Sequence, residues 1–159
     1  MRKEKRMTNI KKILVAIDFS ENASKIVDSA LFFANKLDAE LCIVHVVEGL
    51  DKYSGFVIPH ISLGNLEQDL LKGAEIKMED FIDEHLSGKK SPVPYKYKVL
   101  VGDVGDELKK YAGQENCDLL IIGTHGQKGL EKTLFGSKAE EVLKSAPCPV
   151  LTINPYKLK

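Results

Sequence analysis

At 159 residues, 43% apolar and 29% charged, the chain is long enough for one domain with a substantial core. It falls among globular sequences rather than disordered or membrane ones. Lys plus Arg balance Asp plus Glu at 23 each, so no net field draws in nucleic acid, and no apolar run approaches the roughly 20 residues of a membrane span.

The first residues, MRKEKRM, are basic but lack the apolar stretch that follows in a signal peptide. Residues 1–9 read as a flexible basic tail, with Met7 an alternative start, and residues 10–155 as the domain. Lys12–Asp18 (KILVAID) is a continuous apolar run ending in a carboxylate, the pattern of a strand buried on both faces. Asp18, Phe19, Ser20 and Glu21 supply turn and cap residues. A helix to Leu37 follows, with Ala23, Ile26, Val27, Ala30, Leu31, Ala34 and Leu37 on one face. Glu40–Val47 (ELCIVHVV) is a second buried-type strand, so a right-handed parallel crossover is expected.

From Glu48 to Leu63, Gly49, Gly55 and Pro59 interrupt any period. That stretch exceeds an ordinary connection and reads as a surface loop or lid. Its Tyr53, Phe56, Val57, Ile58 and Ile61 would cover a ligand, a partner or the chain's own edge. A second long helix spans about Leu66 to Leu86, and its stripe of Leu66, Leu70, Leu71, Ala74, Met78, Phe81, Ile82 and His85 is assigned to the core. Tyr95–Val101 alternates like a half-exposed strand near a sheet edge. Gly102–Asp106 turns into a short helix through Tyr111. Asp118–Ile122 (DLLII), a glycine-bearing loop, a helix over Ser137–Ser145 and a closing strand at Pro149–Ile153 complete the chain.

Five strands alternating with four helices predict a single α/β domain. Its core is a doubly wound, open five-stranded parallel sheet with helices on both faces, Rossmann-like in plan. The first strand should be central and the fourth its neighbour, at the topological switch point where ligands bind beyond the strands' carboxyl ends. Asp18 and Gly123 meet there. The loop Gly123–Ser137 reads GTHGQKGLEKTLFGS. Glycine lets backbone approach a ligand, and the unpaired N–H groups of a helix start attract phosphate. Ser137 either caps the helix or bonds a phosphate oxygen, and Lys138 adds a cation. Taken alone, the glycines fit an empty connection equally well.

The remaining reactive residues are read blandly. His125 is a loop residue near the phosphates, without a nucleophile or carboxylate to make it a base. His45 is a satisfied mid-strand histidine, and His60 and His85 carry no constellation. Cys42, Cys117 and Cys148 form no CxxC or Cys/His cluster, so neither zinc nor redox chemistry is expected, and a reduced, cytoplasmic setting is the default.

With ILVAIDFS, CIVHVV, the glycine pattern of Gly123, Gly126, Gly136 and Ser137, and APCPV before the last strand, the chain from Ile10 to Asn154 resembles the universal stress protein family. The resemblance implies the adenine nucleotide alpha hydrolase-like version of the fold. The intact glycine pattern corresponds to the family's nucleotide-binding branch. It implies that Asp18 bonds the ribose hydroxyls or the adenine side, that the Val46 backbone reads the adenine edge, and that Ala16 and Ile17 contact the base with Ile122 near the sugar. Gly123, Gly126 and Gly136 would let the loop wrap the phosphates, with His125 nearby. Ser137 and the N–H groups of Lys138 and Ala139 would finish the cradle. Ala139 stands where some relatives carry a hydroxyl residue.

The resulting expectation is an ATP-binding regulatory protein and stress-response nucleotide sensor, at most a slow ATPase. It would bind ATP (or ADP or AMP) with Mg²⁺ or Mn²⁺ carried by the phosphates, and no catalytic or metal-ligating residue is assigned. A homodimer through the edge strand 149–153 and an unknown regulatory protein partner are expected, with neither nucleic acid nor membrane. The alternative is a dimeric interaction module with a vestigial nucleotide pocket.

Overall fold

The computed structural model describes residues 9–50, 63–87, 93–125 and 137–158. The lid reading of the loop lies mostly on residues 51–62, outside the described residues, as does His60. Strands β1 (Lys12–Ala16), β2 (Glu40–Glu48), β3 (Tyr95–Gly102), β4 (Leu119–Gly123) and β5 (Val150–Ile153) form one sheet. Its order is β3-β2-β1-β4-β5, and every pairing is parallel. Helices α1 (Ala23–Leu37), α2 (Leu63–Ile82), α3 (Val104–Gln114) and α4 (Ser137–Ser145) connect the strands. The doubly wound plan, the central first strand and the edge positions of β3 and β5 are as expected.

Alternation along the strands sorts the core into two layers, because successive side chains point to opposite faces. Ile13, Val15, Leu41, Ile43 and Ile121 pack with Ile26, Val27, Ala30 and Ala34 of α1 and with Met78 and Ile82 of α2. Leu14, Cys42, Val44, Leu120 and Ile122 pack with Leu108, Tyr111 and Ala112 of α3 and with Ala139 and Val142 of α4. All three cysteines carry free thiols, and all belong to this second side: Cys42 and Cys117 buried, Cys148 half-buried against it. Burial pushes the Cys148 thiol above its ordinary value. A bond to Cys42, with burial behind it, does the same to Cys117.

The α2 stripe needs correction. Its buried line is Ala74, Met78, Ile82 and Leu86, each four residues on, while Leu66 and Leu70 are 40% and 42% exposed. Apolar spacing marks which side of a helix faces the sheet but not how far along its length the sheet reaches. After Ile82 the helix widens into a π-turn at Asp83–Ser87, and Leu86 within it is buried. His85 stacks on Phe81 with ring centroids 4.3 Å apart and has Nδ1 2.9 Å from the Phe81 carbonyl. The third helix also runs further than Tyr111, to Gln114, with Asp103 Oδ1 accepting the Asp106 N–H at 3.1 Å as its cap.

Leu14 touches both β neighbours and is fully buried, so Leu14→Ala should cost about 2–5 kcal/mol in urea unfolding. Leu70→Ser, on the exposed part of α2, should stay within about 0.5 kcal/mol of the parent.

Candidate functional site

β1, at the centre of the sheet, ends well before β2 does. Its pairing with β2 ends at Ala16 opposite Val44, and with β4 at Ala16 opposite Ile122. One further rung forms, from the Ile17 N–H to the Val44 carbonyl at 2.9 Å. The chain then turns. Asp18 Oδ1 accepts the Ser20 N–H at 3.0 Å, Ser20 Oγ accepts the Asn22 N–H at 3.3 Å, and Phe19 takes φ 57°. That left-handed conformation is costly for a bulky residue and persists only where neighbours enforce it.

β2 continues to Glu48. The Glu40 N–H bonds Lys11 and the Leu41 N–H bonds Pro94, so even-numbered residues of β2 turn their main chain toward β1. The main chain of Val46 therefore faces the side that β1 vacates. Ala16, Ile17 and Asp18 thus lie beside the stretch of β2 that holds Val46.

The other wall is the end of β4, where Ile122 is buried. A Cβ on Gly123 would lie 3.2 Å from both Cγ1 and Cδ1 of Ile26. Glycine at this position admits α1 against the strand, a packing reason that the sequence reading did not include. The Thr124 N–H bonds the Ile153 carbonyl at 2.9 Å, and Thr124 Oγ1 lies 2.8 Å from His125 Nδ1. His125 thus has a hydroxyl neighbour that the sequence reading did not pair with it. Gly126 and Gly136 lie outside the described residues. Ser137 opens α4, and the first N–H groups of a helix, here those of Lys138 and Ala139 among them, have no acceptor within the helix itself.

Lys138 does not simply point into solvent. Its Nζ lies 3.9 Å from Glu48, 3.3 Å from Asp103 and 3.8 Å from Glu141. It ties the first turn of α4 to the end of β2 and to the cap of α3. The Asp106 N–H, with Lys138 behind it, holds the Asp103 carboxyl below its ordinary range. Ala139 packs its side chain into the core, which leaves its N–H as the group it can offer an anion.

Three further residues bear on this corner, of which the sequence reading named only His45, as a satisfied mid-strand histidine. Tyr156, beyond β5, has its ring 5.1 Å from His125, edge-on. Its hydroxyl accepts from Asn22 Nδ2 at 3.2 Å, and Lys25 Nζ sits 5.9 Å from its ring. Asn22 is only 2% exposed and makes no side-chain cap bond to α1. His45 is the third: Nδ1 lies 2.8 Å from the Ile17 carbonyl, and the ring sits 4.2 Å from that of Phe19. Phe81 lies behind Phe19 with centroids 6.4 Å apart. Burial pushes the His45 imidazole below its ordinary value of 6.5, against the Ile17 bond and the Asp18 charge.

An open parallel sheet with a carboxylate, a glycine and a helix start around the end of its central strand defines a doubly wound α/β protein with these groups at its topological switch point. The Universal stress protein family model matches residues 9–154, and the chain belongs to that family. It is 37% identical over 145 residues to universal stress protein A homolog 1 of Coxiella burnetii, covering 90% of this chain and 95% of that one. It is 32% identical over 148 residues to a universal stress protein of Methanocaldococcus jannaschii, with 92% and 84% covered.

Solved structures give the same fold. UspA of Lactobacillus plantarum superposes with a TM-score of 0.75 at 24% identity, covering 92% of this chain and 99% of its own. Two further relatives were solved with adenine nucleotides. A universal stress protein of Archaeoglobus fulgidus is in complex with dAMP (TM-score 0.61, 20% identity, 91% and 98% covered). Another universal stress protein is in complex with cAMP (TM-score 0.58, 19% identity, 93% and 99% covered).

Removing the Tyr156 hydroxyl leaves the buried Asn22 amide short of an acceptor. Tyr156→Phe should therefore cost about 1–3 kcal/mol in thermal or urea unfolding. His45 is neutral in the fold but protonates below 6.5 when unfolded, so the unfolded chain binds the extra proton. Its contribution to stability is complete above 6.5 and is lost as pH falls below it. Urea midpoints measured from pH 7.5 to pH 5 should fall more steeply for the parent than for His45→Gln.

Proposed function

We propose that this chain is an adenine-nucleotide-binding regulatory protein, with ATP as the ligand, in which occupancy or slow hydrolysis reports on energy or stress state. The observation that carries the reading is the opening where β1 leaves the sheet at Ala16 while β2 runs on to Glu48. There the Val46 main chain, the Asp18 carboxylate and the start of α4 lie around one opening.

The chemistry of these groups suits each part of a nucleotide. An N–H and a C=O on Val46 match the acceptor and donor of the adenine edge. Ala16, Ile17 and Ile122 are small or apolar surfaces for base and sugar. Asp18 is an acceptor for ribose hydroxyls. The loop glycines Gly123, Gly126 and Gly136, the Ser137 hydroxyl and the first N–H groups of α4 supply donors for phosphate oxygens. The dAMP and cAMP complexes of relatives support the adenine part of this assignment.

Among the described residues no three His, Cys, Asp or Glu side chains converge as metal ligands. Mg²⁺ or Mn²⁺ would then be held by the phosphates and water, where it neutralises their charge. Among the described residues, His125 stands beside the Thr124 hydroxyl, a neighbour that supports slow hydrolysis at most. β5, an edge strand with half-buried side chains, is the surface we assign to a homodimer.

A second reading, a dimeric module with a vestigial pocket, is favoured by one observation. Glu48, Asp103 and Glu141 surround the single ammonium of Lys138, leaving net negative charge beside the phosphate end.

The deciding test is mass spectrometry of small molecules released from freshly purified protein. Near-stoichiometric ATP or ADP, lost in Asp18→Ala and Gly126→Val, is the expected result. Gly123→Val is a poor control, because its side chain meets Ile26 and disturbs the fold as well as the site. No release, together with no rise in melting temperature on adding ATP and Mg²⁺, would favour the vestigial reading.

A further inference from the structure

The ladder between β1 and β2 stops one rung early. Its register runs from Lys12 opposite Glu40 to Ala16 opposite Val44, and the Ile17 N–H still reaches the Val44 carbonyl at 2.9 Å. In a parallel ladder the next bond is the Val46 N–H to the Ile17 carbonyl. That rung does not form between these two described residues. The Ile17 carbonyl lies instead 2.8 Å from Nδ1 of His45, and β1 turns away through Phe19 in its left-handed conformation. The His45 ring packs against Phe19 in that turn at 4.2 Å, and Phe81 meets Phe19 edge-on at 6.4 Å.

We infer that His45 is a positioning residue for the nucleotide crevice: by taking the Ile17 carbonyl in place of the Val46 N–H, it keeps the Val46 main chain available to a base. The reasoning is an exchange of donors. A buried carbonyl must have a partner, and two donors compete for this one, a backbone amide one position away on the same strand and the imidazole. Nδ1–H is a donor in the one neutral tautomer that fits this contact and in the imidazolium alike, so the carbonyl stays occupied across the physiological range. If the imidazole were lost, the natural replacement would be the ladder's own amide. The strand would then zip one rung further, closing the edge that an adenine would read and moving Asp18 with the relaxed corner. The inference rests on the adenine-binding reading for its consequence, but the exchange of partners stands by itself.

Hydrogen exchange of the nucleotide-free protein, followed by NMR at the Val44 and Val46 amides, tests the exchange of partners. Calorimetric titration with ATP and Mg²⁺ tests its consequence. In the parent, the Val46 amide should exchange at least about tenfold faster than that of Val44. In His45→Phe, which keeps a ring against Phe19 but has no donor, Val46 should become as protected as Val44, and ATP should bind about tenfold more weakly. His45→Gln places an amide donor near the same carbonyl and should restore both properties.

Equal protection of Val46 in the parent and in His45→Phe would overturn the inference. So would a scalar coupling across a hydrogen bond from the Val46 nitrogen to the Ile17 carbonyl carbon in the parent, a readout that needs no variant to fold. A change in exchange without any change in ATP affinity would also refute the positioning role. Failure of the parent to bind ATP would instead refute the nucleotide reading, and the exchange measurements would still decide the hydrogen-bond switch.

Discussion

Everything in this domain is arranged around a strand that must satisfy its backbone on both edges while burying both faces. Ile13, Leu14 and Val15 have no exposure at all. A strand so enclosed has no recourse to water, so β2 and β4 must flank it and helices must cover it above and below. The same constraint creates the crevice. β1 leaves the sheet while β2 runs on, so main-chain groups beyond the departure point lose a partner strand. The groups that take over there are side chains: His45 on the Ile17 carbonyl, and Asp18 on the Ser20 amide. The opening at the end of β1 and the side-chain bonds beside it thus have one origin.

Most of the architecture was legible because the strands carry the pattern of two-faced burial. KILVA, CIVHVV and LLIIG are almost unbroken apolar runs, whereas YKYKVLV alternates and does lie at the edge. Chain order plus the right-handed crossover then left few topologies to consider. The meeting of Asp18 with Gly123 followed from topology, since Ala16 and Ile122 are register partners. The strand end was less legible: the apolar run continues through Ile17, yet β1 ends at Ala16.

The layout of the candidate site was legible where it depends on main chain and topology, and illegible where it depends on side chains from distant stretches. Tyr156 meets Asn22 across 134 positions; no periodicity links two such residues, and each alone reads as ordinary. His45 was visible as a strand histidine, yet its role depends on where a neighbouring strand stops, which is a property of two segments at once. Lys138 reads as a cation for phosphate in sequence, and only the fold shows Glu48 and Asp103 converging on it. On α2, periodicity was right about the side and wrong about the extent, because Leu66 and Leu70 extend past the part of the helix that is covered.

The sorting of the core into two layers has a practical corollary in the sulfur atoms. All three thiols fall on the α3/α4 side of the sheet, two of them sealed and one at its margin. A thiol reagent applied to the folded protein would therefore meet Cys148 first and would reach Cys42 and Cys117 only when that layer opens. The chain carries its own labels for watching one half of its interior come apart, with the α1/α2 half left chemically silent.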